Sequence, residues 1–167
     1  MHLLLIRHAI AQDRDVFART GAADFDRPLT DVGRRRMRAV TTGLQRLVPA
    51  IDLLAASPLV RTVETARIVS ATYGSVPLLV ESLAPDKPPS AFLAWLRAQD
   101  AESTIAAVGH DPGLPRIVGL LAGGKGAPII AIKKGGACFL RMEDVPRAGS
   151  AVLLWALAPA HLRDLGR

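Results

Sequence analysis

Two histidines and two arginines stand at positions where a chain can do phosphoryl chemistry. Arg7 and His8 directly follow a short apolar run, His2 to Ile6. Arg61 lies in Ser57-Pro58-Leu59-Val60-Arg61, just beyond a second run, Ile51 to Ala56. His110 opens His110-Asp111-Pro112 after a third, Ser103 to Val108. If the three runs are neighbouring strands, these side chains converge on one pocket beside two helix N-termini, an arrangement suited to phosphate. Each histidine taken alone reads more simply as a hydrogen-bonded residue at a strand end. The chain has only 4 histidines, and two of them fall at such junctions with an arginine-bearing junction between, which favours the joint reading. An imidazole nucleophile must be unprotonated, and nearby guanidinium groups disfavour its charged form. The same cations stabilise charge on the equatorial oxygens of a phosphoryl group in transfer. No carboxylate cluster suggests Mg²⁺, and the chemistry implies neither metal nor cofactor.

The elements that must position these residues alternate. His2 to Ile6 reads as a buried strand, and residues 12–29 are polar and irregular. Thr30 is a good N-cap for a helix to about Leu47, closed by Pro49. Ile51 to Ala56 predicts a second strand. Ser57-Pro58 then reads as a cap followed by a first-turn proline, opening a helix to about Thr72. Val76 to Val80 is a brief extended piece, and Pro88-Pro89-Ser90 starts a helix ending near Gln99. Ser103 to Val108 predicts a strand, and Asp111-Pro112 repeats the cap-then-proline device before a helix to about Leu121, stopped by Gly123-Gly124. Gly136 to Met142 and Ala151 to Leu157 read as two closing antiparallel strands. Alternating strands and helices imply right-handed parallel crossovers and hence an α/β fold, a three-layer αβα sandwich with a mostly parallel central sheet. Open sheets of this kind place their sites at strand carboxyl ends.

The 167 residues fit one domain, 1–167, with 50% hydrophobic and 22% charged residues, which excludes a disordered or collagen-like chain. No apolar run approaches the roughly 20 residues of a membrane helix. The charged residues soon after Ile6 argue against a secretory signal, so a cytoplasmic location is expected. The single Cys138 is expected to be a small core residue of a strand. Net charge is +6, with 17 Arg against 4 Lys, and 11 of those Arg lie in residues 1–67. The cluster Arg34, Arg35, Arg36 and Arg38 resembles a nucleic-acid patch. However, Met37, Val40, Leu44 and Leu47 form a helical stripe that puts Arg34, Arg38 and Gln45 on the opposite, solvated face. Aromatic residues are 4% of the chain and none interleave with the cluster, so the stacking platform of a single-strand binder is missing.

Four blocks in order, Leu3-Leu4-Leu5-Ile6-Arg7-His8-Ala9, Pro28-Leu29-Thr30-Asp31-Val32-Gly33, Ser57-Pro58-Leu59-Val60-Arg61-Thr62-Val63-Glu64-Thr65-Ala66 and Val108-Gly109-His110-Asp111-Pro112-Gly113, resemble the phosphoglycerate mutase-like histidine phosphatase superfamily. Within it they look like the small bacterial phosphohistidine phosphatases of the SixA type, as does Lys133-Lys134-Gly135-Gly136-Ala137. One departure is Arg7-His8-Ala9, where the superfamily has Arg-His-Gly; alanine fits there if its φ is negative. The resemblance implies that His8 is the nucleophile, forming a phosphohistidine intermediate, while Arg7, Arg61 and His110 bind the transferred group without a metal. It also suggests a general acid near Glu81, for which an exposed loop carboxylate is an equal reading, with Asp86 and Asp13 as weaker candidates. Thr65 is a candidate support, its simpler role being a bond to its own helix.

Only 28 residues separate Glu81 from His110. They must supply a helix and a strand, which leaves little for a lid. An uncovered pocket suits phosphohistidine on a partner protein. The alternatives are a phosphomonoesterase acting on a small metabolite or nucleotide, and, of another class, a non-catalytic phosphate-binding module hinted at by Ala9. Neither a nucleic acid nor a membrane is expected as partner. The segment 12–28, with Arg14, Arg19 and Arg27 against four Asp, reads either as a border of the pocket or as an ordinary loop.

Overall fold

The computed structural model describes residues 1–167. Three apolar runs form its parallel centre: β1 (His2–Arg7), β2 (Leu53–Ala56) and β4 (Thr104–Gly109), with β3 (Pro77–Leu79) parallel beyond β2. β5 (Ala137–Arg141) runs antiparallel to β1, and β6 (Val152–Leu157) antiparallel to β5, giving the order β3-β2-β4-β1-β5-β6. Alternate side chains of the sheet enter two cores. Leu3, Leu5, Ile105 and Ala107 pack with Phe92, Leu96, Leu114 and Val118 of α4 (Pro89–Leu96) and α5 (Gly113–Gly123). Leu4, Ile6, Ala106 and Val108 pack with Met37, Val40, Leu44, Ala66, Val69 and Leu162 of α2 (Asp31–Leu47), α3 (Val60–Tyr73) and α6 (Pro159–Leu165). Strands buried on both faces explain the unbroken apolar runs, and the result is the expected three-layer αβα sandwich with a mostly parallel sheet. Cys138 is buried in β5, where desolvation pushes its thiol up to about 12.

Thr30 caps α2 through its hydroxyl, which accepts from Gly33 N at 2.9 Å. At the two cap-then-proline sites the structure corrects the sequence reading. α3 starts at Val60 after Leu59, and α5 at Gly113 after Pro112, neither with a side-chain cap. Ser57 and Asp111 are turned to other partners, described below. α4 also stops at Leu96, short of Gln99, because Arg97 to Gln99 continue only in turn bonds to Leu93, Trp95 and Leu96. Arg34 is likewise not purely solvated: its Nε and Nη2 donate to Glu64 Oε2 of α3 at 3.0 and 2.8 Å, while Arg35, Arg36 and Arg38 are exposed. Four elements carry no strong pattern and go unread from the sequence: α1 (Arg14–Ala18), the 3-10 turns Asp24–Asp26 and Glu81–Leu83, and α6. No helix is long and apolar enough to cross a membrane.

Candidate functional site

β1 and β4 are hydrogen-bonded neighbours with Arg7 in register with Gly109, so the residues that follow them, His8 and His110, emerge side by side. Their ring centroids lie 5.4 Å apart. β2 flanks β4 on its other side and delivers Arg61 in the first turn of α3. Arg7, His8, Arg61 and His110 therefore line one cavity of about 430 Å³, which has no hydrophobic lining residue. His8, Arg61 and His110 are all buried.

The rings are fixed by their hydrogen bonds. His8 Nδ1 lies 2.7 Å from its neighbour's carbonyl oxygen, that of Ala9. A carbonyl only accepts, so Nδ1 carries the proton and Nε2 the lone pair. Burial is the main cause that pushes the His8 pKa down, to about 4; the Arg61, Arg7 and Arg27 charges add to it, against the Ala9 bond, which raises it. Burial also leads at His110, lowered to about 3 with help from Arg61, His8 and Arg27. Desolvation thus does more than the guanidinium charges emphasised in the sequence reading. His110 Nε2 is 2.9 Å from Ser57 Oγ, the task that replaces capping at Ser57. Ala9 has no positive φ, so the alanine fits the backbone at that position without strain. Its N–H donates to Thr65 Oγ1 at 3.1 Å, and that hydroxyl also donates to Arg61 O at 2.7 Å, tying the loop after β1 to the helix that carries Arg61.

Arg7 Nη1 donates to Ile132 O at 2.7 Å, and its Nη2 lies 3.6 Å from Asp111 Oδ2. Arg61 Nη1 donates to Asp24 O at 2.8 Å, with Nη2 3.1 Å from Asp24 Oδ2. Three buried side-chain nitrogens here have no protein partner: the donors Arg7 Nε and Arg61 Nε, and His110 Nδ1.

The structure does not bring Glu81 to this cavity. It is exposed at the start of the 3-10 turn Glu81–Leu83, and the wall contributed from this region is Pro85. Asp86 does not line it either and pairs with Lys87 at 3.3 Å. The lining carboxylates are Asp13, Asp24 and Asp111. Asp13 caps α1, and its bonds to Val16 N and Asp15 N hold its carboxyl below the usual range. Asp24 is also held low: its hydrogen bond to Arg27 and the charges of Arg61, Arg27 and Arg14 outweigh burial, which acts the other way. The segment after Ala11 borders the pocket, and its Arg27 is a second buried guanidinium on the wall beside Arg61. The sequence reading named Arg27 only within a segment that either borders the pocket or is an ordinary loop, because a single arginine in an irregular acidic stretch has no periodic signal; its one mark is standing directly before Pro28-Leu29-Thr30.

Residues 3–84 match the model of the histidine phosphatase superfamily, branch 1. An uncharacterised protein of Picosynechococcus sp. is 37% identical over 144 residues, 84% of this chain and 85% of its own length. The chain belongs to the histidine phosphatase superfamily. Its fold is that of the phosphoglycerate mutase-like members and is similar to the protein histidine phosphatase SixA, solved with tungstate, at a TM-score of 0.82 and 22% identity over 97% of this chain and 99% of that one. A phosphoserine phosphatase from Entamoeba histolytica, solved with 3-phosphoglyceric acid, has a TM-score of 0.64 and 19% identity over 96% and 98% of the two chains. As a member of this superfamily the protein is a phosphatase.

Proposed function

We propose that this histidine phosphatase hydrolyses phosphohistidine on a partner protein, with His8 as nucleophile. The observation that carries this reading is a pocket offering a neutral imidazole and guanidinium donors but no poised carboxylic acid. His8 Nε2 attacks phosphorus as the bond from phosphorus to the substrate imidazole breaks, giving phospho-His8 and a free histidine side chain. Water then attacks the same phosphorus, the bond to Nε2 breaks, and inorganic phosphate leaves. Arg7 and Arg61 bear the equatorial charge, and the unpartnered donors Arg7 Nε and Arg61 Nε are of the kind that an anion with peripheral oxygens satisfies.

The leaving group decides the substrate class. An alkoxide must be protonated as it departs, so esters need a neutral acid. Here Asp13 and Asp24 are held ionised, Asp111 faces Arg7 at 3.6 Å, and Glu81 stands outside the cavity. A phosphoimidazole protonated by solvent on its other nitrogen leaves as neutral imidazole and asks for no such group. The shallow cover agrees with a phosphoryl group presented on a protein surface. The neighbour solved with 3-phosphoglyceric acid favours a second reading, a phosphomonoesterase for a small ester. Turnover of a phosphohistidine protein and of several phosphate esters, measured side by side, separates the two, and preference for the esters would sink the first. Labelling quenched with alkali, in which a phosphoimidazole survives, should trap a phosphoenzyme that is absent in His8→Ala; phosphate binding without any label would instead indicate a non-catalytic module.

A further inference from the structure

Each of the two guanidiniums assigned to the phosphoryl group already faces an aspartate of its own chain. Arg61, with a side chain only 3% exposed, has Nη2 at 3.1 Å from Asp24 Oδ2. Arg7 has Nη2 at 3.6 Å from Asp111 Oδ2. Both aspartates line the cavity, and their side chains are 43% and 44% exposed, so each has water beside it. We propose that Asp24, and more weakly Asp111, are internal counter-anions that a phosphoryl group partly displaces, so that they limit the pocket's grip on free phosphate and hasten its release. This rests on the reading of the cavity as the phosphoryl site.

The geometry around Asp24 makes displacement inexpensive. Its Oδ1 accepts from Arg27 Nε at 2.8 Å, and Arg14 Nε lies 3.6 Å from the same oxygen. The carboxylate therefore keeps cationic partners when Oδ2 gives up Arg61. Bidentate binding of a phosphoryl oxygen pair by Arg61 uses Nε, which has no partner, together with Nη2, which Asp24 holds. The incoming dianion meets a carboxylate that repels it as well as a guanidinium that attracts it. For a phosphatase this arrangement has a use, because the product carries the same charge as the group to be bound and would otherwise occupy the pocket. Asp111 acts from the longer distance and has the smaller effect.

The opposite role, an aspartate that only holds Arg61 in place, predicts the opposite sign. Equilibrium binding of inorganic phosphate to wild-type protein and to Asp24→Asn, with melting temperature as a check on folding, tells them apart. Asp24→Asn keeps an oxygen for Arg27 and removes the charge, and should bind phosphate about tenfold more tightly. Asp111→Asn should tighten binding by a smaller factor, and it tests the same idea should Asp24→Asn prove unfolded. Unchanged or weaker phosphate binding in these folded variants overturns the inference and leaves the phosphoryl pocket standing. No phosphate binding in the wild type or in either folded variant removes both.

Discussion

At His8 the ring nitrogen left free decides the chemistry. The Ala9 carbonyl accepts from Nδ1–H, so Nε2 carries the lone pair that the proposed attack uses, and burial keeps it unprotonated. With a pKa of about 4, the His8 ring signals should stay constant in an NMR titration from about pH 5.5 to 8, where a free histidine titrates. A midpoint near 6.5 would show that the ring is solvated. The same shift is a stability statement. Between about 6.5 and 4 the unfolded chain binds a proton at His8 that the native state refuses, so the contribution is complete above that window and is lost as pH falls through it. One pKa unit is worth about 1.4 kcal/mol, so His8 alone should withdraw about 3 kcal/mol by pH 4. Urea midpoints at pH 7 and pH 4.5 should therefore differ less in His8→Ala than in wild type. Arg61→Lys keeps a charge but loses the fork of donors, and kcat/KM is expected to fall about 100-fold. Near-normal turnover in that variant would remove Arg61 from the phosphoryl group.

Among the elements, α2 packs against the loop leaving β1 without lining the pocket. Its Gly33 lies against the loop leaving β1, where a Cβ would collide with the Ile10 carbonyl oxygen, a backbone atom that cannot step aside. Gly33→Ala should therefore push α2 from that loop, lowering stability by about 2 kcal/mol and phosphate affinity with it; a wild-type melting curve would contradict this. Elements of this kind were legible in the sequence where one signal dominates. The buried strands β1, β2 and β4 appear as apolar runs, and α2 as a stripe of Met37, Val40 and Leu44 behind a Thr30 cap. What was not legible has a common cause. Ser57 and Asp111 carry the local signature of helix caps, yet tertiary partners, His110 and Arg7, claim their side chains. Arg27 and Asp24 sit in a segment held by ion pairs, not by periodic burial, so no pattern announces them. Glu81 follows the short β3 as expected, but its turn leaves it exposed and presents Pro85 to the cavity.

For the whole molecule, the sheet order places the site where the parallel strands meet the antiparallel pair, with β1 between β4 and β5. Side chains at the carboxyl ends of β1, β2 and β4 meet there. Between Glu81 and His110 the chain contributes only Pro85 to the cavity wall, since α4 packs on α5, and the small α1 and its following turn stand at the rim. A mouth this open reaches the surface of another protein, and at that range the net charge of +6 matters. Attraction between separated charges is screened beyond about 10 Å at 0.1 M salt, whereas contacts inside a half-buried pocket are screened much less. If an acidic phosphohistidine protein is the partner, kcat/KM should fall about tenfold between roughly 20 and 500 mM salt while kcat holds steady, because encounter weakens and chemistry does not. Steady-state kinetics across that range tests this. A salt-independent kcat/KM would mean that the arginine excess takes no part in finding the partner, and a falling kcat would place the salt-sensitive contacts inside the pocket itself.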